Sequence, residues 1–135
     1  MKTAALDFWE RAVDAWRVAE HDLDESPDAA ASRAYYAAFH AVCAHFALEQ
    51  KAFIKHTAVE AAVHRDLVRV GTWDAELGRG YSRLAQLRTR GDYGGGRHVA
   101  PEEASEAIEI ASKILRRVAE MHPEDFPLDL PSSSA

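Results

Sequence analysis

The 135-residue sequence contains a single cysteine, Cys43, which excludes an internal disulfide bond. It has no apolar run approaching the roughly 20 residues of a membrane-spanning helix, so we expect no membrane association. Asp7 and Glu10 interrupt the first ten positions, where a secretory signal needs an apolar stretch. These absences predict a cytoplasmic protein.

Several common functional motifs are also missing. There is no glycine-rich phosphate loop ending in Lys-Ser or Lys-Thr, and the glycines at 91 and 94–96 do not follow a strand pattern. His56, Glu60 and His64 share one helical face, but no second helix supplies the matching ligands of a dinuclear site. We therefore expect no nucleotide cofactor and no metal.

The residues that are present indicate an all-α protein. The sequence is 47% hydrophobic and 28% charged, and its apolar residues recur at helical spacing without any alternating strand pattern. This predicts one antiparallel, up-and-down bundle of four to five helices over residues 1–121. Residues 122–135 carry three prolines and three serines and predict a tail that is flexible or loosely docked.

Start and stop signals predict helices at about 4–24, 27–50, 57–70 and 73–90, with a last helix from 101. Ser26 is the expected N-cap of the second helix, with Pro27 as its first residue. Gly91 or the glycine run 94–96 is expected to end the fourth helix. The first helix is expected to bury a stripe of Leu6, Trp9, Val13, Trp16 and Leu23.

Charge is segregated along the chain. Residues 77–98 contain five arginines and one aspartate, a formal charge of +4, whereas the whole chain carries −6. A cationic segment in an acidic protein favours a site for phosphate or for an acidic partner over a general coating of nucleic acid.

Arg88, Asp92 and Tyr93 lie at the centre of this segment and are the candidate catalytic residues. Metal-independent RNA cleavage needs a proton-transferring group near the 2′-hydroxyl and a cation that stabilises the phosphorane. The alternative is structural: Arg88 and Asp92 form an i, i+4 pair, Tyr93 packs on the end of the bundle, and the glycines cap the helix.

A second polar stripe, formed by Arg33, Tyr36 and His40, lies on the second predicted helix. Arg33 is surrounded by alanines and tyrosines, so we expect it to be partly buried and paired with a carboxylate. Asp92 is the candidate partner, which requires the two charged groups to lie within about 6 Å of each other.

The two polar stripes belong to segments that resemble, in order and spacing, the small stand-alone HEPN domains. The resembling segments are Ser32–His40, Lys55-His56, Leu67–Gly71, Glu76–Arg79, Leu87–Gly94 (Leu-Arg-Thr-Arg-Gly-Asp-Tyr-Gly) and Pro101–Ala104. The resemblance as a whole covers roughly residues 4 to 120.

The resemblance implies a helical bundle that forms a homodimer, with the Arg88 segments of both chains lining a shared basic cleft. Many HEPN proteins are metal-independent endoribonucleases that act in toxin-antitoxin or defence systems, often beside a minimal nucleotidyltransferase. Their catalytic motif is an arginine followed a few residues later by a histidine. Here Tyr93 occupies that place, and His98 lies ten positions after Arg88.

The resemblance thus implies a metal-independent endoribonuclease of a toxin-antitoxin or defence system. The alternatives are a non-catalytic HEPN module that binds a nucleotide, nucleic acid or a nucleotidyltransferase, and a helical scaffold whose arginines serve only the dimer interface. The candidate binding residues are Arg90, Arg97, His98, Arg33, Tyr36 and His40.

Overall fold

The computed structural model describes residues 2–128 and 130 and shows only helices and connecting segments over that range. The five α-helices are α1 (Lys2–Asp22), α2 (Pro27–Leu48), α3 (His56–Ala62), α4 (Ala75–Tyr93) and α5 (Pro101–Met121). The predicted all-α fold class is therefore confirmed. Within this range, each helix is too short or too polar to cross a bilayer.

Helix α2 lies at the centre of the bundle and contacts α1, α4 and α5. It begins as expected, because the Ser26 hydroxyl accepts a hydrogen bond from the Ala29 N–H at 3.1 Å and Pro27 is the first helical residue. Small side chains let the neighbouring helices approach closely. The alanines of α2 that are completely buried are Ala30, Ala31, Ala34, Ala37, Ala38, Ala41 and Ala44.

Helix α1 packs along α2 through a face slightly different from the predicted one. Trp9 and Trp16 are buried as expected, but Leu6 is 43% exposed. The remaining buried positions of α1 are alanines, namely Ala5, Ala12, Ala15 and Ala19. Two indoles fill most of the volume between the helices, so alanine rather than leucine fits at the positions where the backbones come closest.

The chain after α3 departs from the predicted single helix. Residues Val63–Val68 continue as a π-helical segment, in which each N–H bonds to a carbonyl five residues earlier. Gly71 then turns the chain with a φ of +89°, and Trp73, expected inside α4, lies buried in the loop before it. Asp74 caps α4 by accepting the Leu77 N–H at 2.8 Å.

Helix α4 continues through Gly91 and ends at Tyr93, with Gly94 as its C-cap. Of the two predicted terminators, the glycine run is therefore the one used. A side chain at Gly94 would collide with the carbonyl oxygens of Arg90 and Arg97, so this close turn requires glycine. The longer helix keeps Arg88 and Asp92 one turn apart on the same face.

Part of the segment after α5, the predicted tail, packs on the bundle. Phe126 is 1% exposed and stacks on Trp9 with ring centroids 5.0 Å apart. The Trp9 indole N–H donates to the Pro127 carbonyl at 2.8 Å. The apolar surface of Phe126 accounts for this docking. The rest of the predicted tail, residues 129 and 131–135, lies outside the described residues.

Two histidines also join this segment to α2. The His45 Nδ1 and His122 Nε2 atoms lie 2.8 Å apart, within hydrogen-bond distance. Burial lowers the pKa of both rings, so both are neutral near pH 7 and one ring donates to the other.

We expect Phe126→Ala to lower the free energy of unfolding by about 3 kcal/mol, because it removes a buried ring that packs on Trp9. Chemical denaturation followed by circular dichroism measures the change. Ile54→Ala is the matched control: Ile54 is 99% exposed, so its loss should change stability by less than about 0.5 kcal/mol. Equal effects of the two substitutions would contradict docking of the segment.

Candidate functional site

Arg88 of α4 reaches across to α2 and makes its closest polar contacts with one tyrosine and one aspartate. Its Nη2 donates a hydrogen bond to the Tyr36 hydroxyl at 2.9 Å. Its Nε lies 3.1 Å from the Asp92 Oδ2, but without the alignment of a hydrogen bond, so this contact is electrostatic. The Arg88 side chain is 20% exposed.

Three tyrosine rings surround the same guanidinium. The Arg88 Cζ lies 5.7 Å from the ring centroid of Tyr35 and 5.5 Å from those of Tyr36 and Tyr93. These distances fall within the range of cation–π attraction. We call Arg88 and these four partners (Tyr35, Tyr36, Asp92 and Tyr93) the Arg88 cluster.

The electrostatics of the cluster keep Arg88 charged. Burial alone would lower the pKa of Arg88, but Tyr36, Tyr93 and Asp92 favour the cation and raise it overall. Burial raises the pKa of Tyr35 to about 12, so that phenol keeps its proton. The arrangement is a fixed cation that donates to the Tyr36 hydroxyl and is lined by three aromatic rings.

The predicted ion pair between Arg33 and Asp92 is not formed among the described residues. Asp92 pairs with Arg88, one helical turn away, and also accepts a long hydrogen bond of 3.5 Å from the Ser32 hydroxyl. Arg33 instead lies over the Tyr36 ring, with its Cζ 4.8 Å from the centroid. An i, i+4 pair on one helix forms without any tertiary adjustment, which favours Arg88 as the partner.

His40 also lies beside the cluster, with its ring 6.0 Å from that of Tyr36. Burial, reinforced by the positive charges of Arg11 and Arg33, lowers the pKa of His40 to about 4. Its Nδ1 atom is buried without a hydrogen-bond partner. His40 is therefore a neutral, packed imidazole over the physiological pH range.

His56 joins the same group of rings, although sequence analysis did not select it as a site residue. Its Nδ1 lies 3.0 Å from the Tyr35 hydroxyl, and its ring stacks on Phe39 at 4.5 Å. It lies 5.7 Å from the Tyr36 ring. The Lys55-His56 pair was part of the family resemblance, but no spacing rule could place the start of α3 beside Arg88.

Two of the predicted binding residues form ion pairs with acids outside the Arg88 cluster. Arg90 pairs with Glu103 of α5 at 2.6 Å, and His98 pairs with Asp28 at 2.6 Å. Arg97 is exposed, and among the described residues it forms no ion pair. A hydrogen bond from the Ala100 N–H, together with Arg90, lowers the pKa of Glu103 to about 2.

Acidic residues of α5 neutralise much of the predicted basic segment. Arg83 lies 3.2 Å from Glu103 and 3.3 Å from Glu106, in addition to the pair between Arg90 and Glu103. Arg83 and Arg90 of the basic segment therefore form ion pairs between α4 and α5. Arg88 remains as the arginine that faces an aromatic, partly open site.

Other polar groups form no metal centre in the described part of the chain, where no three histidine, cysteine or acidic side chains converge. The Ser82 hydroxyl donates to Glu60 at 2.7 Å and contacts the His64 Nε2 at 2.9 Å, which links α3 to α4. Burial raises the pKa of Cys43 to about 11, so its thiol is not activated.

Gly91 sets the distance between α4 and the start of α2. A Cβ atom there would lie 2.8 Å from the backbone oxygen of Asp28, closer than real Cβ contacts. This approach places Asp92 and Tyr93 at the edge of an open recess of about 510 Å³. The recess is lined by Ser26, Asp28, Ala29, Gly91, Asp92 and Tyr93.

Comparison with known proteins gives two matches. The family model of the HEPN domain matches residues 5–121. A UPF0332 protein of Thermotoga maritima (strain ATCC 43589 / DSM 3109 / JCM 10099 / NBRC 100826 / MSB8) is 34% identical over 98 residues. That match covers 69% of this chain and 72% of the relative.

We expect Gly91→Ala to destabilise the protein by about 1–2 kcal/mol, because the clash with the Asp28 backbone outweighs the gain in helix propensity. The change is measured as the shift in free energy of unfolding. Gly96→Ala serves as the control, since a Cβ there meets nothing within 4 Å. A stabilised Gly91→Ala protein would show that α4 does not need this approach.

Proposed function

The chain belongs to the HEPN domain family, and on that premise we propose that it is a metal-independent endoribonuclease whose active site is the Arg88 cluster. Family membership rests on the match over residues 5–121. The observation that carries the proposal is the Arg88 guanidinium, held in place by a phenol and a carboxylate yet open on one side.

Arg88 has a free edge for a phosphate. Its Nη2 donates to the Tyr36 hydroxyl, and its Nε faces Asp92. Its Nη1 has no hydrogen-bond partner among the described residues and is accessible to solvent. The planar guanidinium binds phosphate oxygens directionally, and a preorganised cation stabilises the extra charge of a phosphorane. In this proposal Arg88 is the electrostatic catalyst.

The neighbouring residues have supporting roles. Asp92 and Tyr36 orient the guanidinium through the contacts described above. Tyr93 is 71% exposed beside it and offers a ring on which an unpaired base can stack. Single-stranded RNA, whose bases are free to stack, is the substrate class that this surface favours.

We further propose that the protein acts as a homodimer, in which the Arg88 clusters of two chains face one cleft, and that its partner is a minimal nucleotidyltransferase acting as antitoxin. The family resemblance supports both proposals, and the exposed Tyr93 supplies an aromatic contact surface at the edge of the cluster. Location in the cytoplasm, where RNA targets lie, belongs to the same proposal.

One observation favours the alternative of a non-catalytic HEPN module that binds a nucleotide, nucleic acid or partner protein. Asp92 compensates the charge of Arg88, and Tyr93 replaces the histidine of the family motif. A phenol with a reference pKa of about 10 is a weak base at neutral pH. The cleavage assay below decides between the two.

We expect purified protein to cleave single-stranded RNA in the presence of EDTA, and Arg88→Ala to lower the rate about 10²–10³-fold because the phosphorane loses its cation. Tyr36→Phe should lower it about 10-fold, since it removes one hydrogen bond that positions Arg88. Rates are measured on a labelled RNA of mixed sequence, with circular dichroism as the check of folding.

Arg79→Ala is the matched control, because Arg79 is an exposed arginine of α4 that lines the groove toward α5 instead of the Arg88 cluster. Its rate should equal that of wild type. RNA that stays intact at high protein concentration, while a filter-binding assay detects its capture, would reject the enzyme and favour the binding module.

Sedimentation velocity at micromolar concentration should show a dimer, and Tyr93→Glu should weaken it by placing a charge at the interface. Ile54→Glu is the control, as another exposed apolar residue, 99% exposed, outside the Arg88 cluster. A wild-type protein that sediments as a monomer would contradict the shared cleft.

A further inference from the structure

A histidine that lies far from Arg88 in the sequence packs against the same tyrosine rings as Arg88. His56, the first residue of α3, packs against the Tyr35 and Tyr36 rings at 5.7 Å from each. Arg88 packs against the same two rings from α4. The two side chains thus share one pair of tyrosines.

The two nitrogens of His56 have different surroundings. Nδ1 lies 3.0 Å from the Tyr35 hydroxyl. Nε2 has no hydrogen-bond partner among the described residues. The ring is half-buried, and its Nε2 atom is accessible to solvent. When Nδ1 carries the hydrogen and donates to the Tyr35 oxygen, Nε2 carries the lone pair of a base.

We propose that His56 Nε2 is the general base of the ribonuclease reaction, in a site that α3 completes beside the Arg88 cluster. The inference rests on the proposed function. In the family motif, the histidine follows the arginine on the same helix. We assign the role of that histidine to His56, which lies on a different helix from Arg88.

The proposed reaction is an attack of the RNA 2′-oxygen on the adjacent phosphorus, with water as the only co-reactant. The 2′-hydroxyl of RNA loses its proton to His56 Nε2, and its oxygen forms a bond to phosphorus while the bond from phosphorus to the 5′-oxygen breaks. The leaving 5′-oxygen takes a proton from water, and the resulting hydroxide removes the proton from His56. The products are a 2′,3′-cyclic phosphate and a 5′-hydroxyl.

The charged and titratable groups around His56 favour its neutral form. Burial lowers its pKa, and the positive charge of Arg88 lowers it further. The ring is therefore unprotonated at pH 7, as a base requires. The groups that face it are Tyr35 and Tyr36 from α2 and Arg88 from α4, and His40 of α2 interacts with it electrostatically. The charged residues nearest to it in its own segment are Lys55 and Glu60.

The other candidates for this role are occupied or inactive. His98 is held by Asp28 at 2.6 Å, and the His40 Nδ1 is buried without a partner while its pKa is lowered to about 4. The Tyr36 hydroxyl is engaged by the hydrogen bond from Arg88. Among the described side chains near Arg88, His56 combines a free nitrogen with a neutral ring.

The test measures the pH dependence of kcat/KM for a labelled single-stranded RNA between about pH 5 and pH 8. Wild type should lose activity as the pH falls through the pKa of His56, below the usual 6.5, because the protonated ring cannot accept a proton. His56→Gln should lower kcat/KM about 10²–10⁴-fold and remove this acid limb. His21→Gln, at a histidine whose side chain is 85% exposed, is the control and should leave both unchanged.

Histidine NMR provides a readout that does not depend on cleavage. The His56 ring resonances should titrate below pH 6.5 in wild type, move to higher pKa in Arg88→Ala, and shift when a 2′-O-methyl RNA of the same sequence binds. The methyl group blocks attack by the 2′-oxygen, so the complex stays intact.

The outcomes separate the two proposals. Cleavage that depends on Arg88 but is unchanged in rate and pH profile in His56→Gln would overturn the role of His56 and leave the ribonuclease proposal standing. Absence of any cleavage by wild type would overturn both, and a shift of His56 on binding the 2′-O-methyl RNA would then assign the site to binding alone.

Discussion

Close packing around α2 is the constraint on which the rest of the structure depends. Its buried alanines allow α1, α4 and α5 to approach a single central helix. Gly91 extends the same principle to the end of α4, where the chain rests on the Asp28 backbone. With larger residues at these positions α4 would move outward, and Arg88 would no longer reach the Tyr36 hydroxyl on α2. Small residues in the core therefore determine the geometry of the candidate site.

Charge is distributed differently in space than along the chain. The arginines of α4 form a single basic segment in sequence, but Arg83 and Arg90 are paired with the carboxylate of Glu103. Among the described arginines of α4, Arg88 is the one that packs against the tyrosines of α2, where burial strengthens each contact it makes. A site with one fixed cation and several phenols is better suited to a local phosphate than to a long nucleic acid track.

The HEPN family gives the protein its fold, and its own residues modify the site. The family resemblance implies a histidine at the position of Tyr93, and the structure places another histidine, His56, next to Tyr35 and Tyr36. A catalytic group can be supplied by any element that reaches the reacting atoms, because geometry and protonation state matter and position in the chain does not. The proposed ribonuclease chemistry is therefore compatible with a tyrosine at position 93.

The sequence by itself determined the all-α class and most helix boundaries to within a few residues. It also offered the i, i+4 pair of Arg88 with Asp92 as one of two alternatives for these residues. These features depend on local periodicity and capping, which neighbouring residues encode. Tertiary structure decided which arginines are neutralised, that Phe126 docks on Trp9, and that His56 lies beside Tyr35. Each of these contacts joins distant segments, and their burial and distances arise only once the helices pack together.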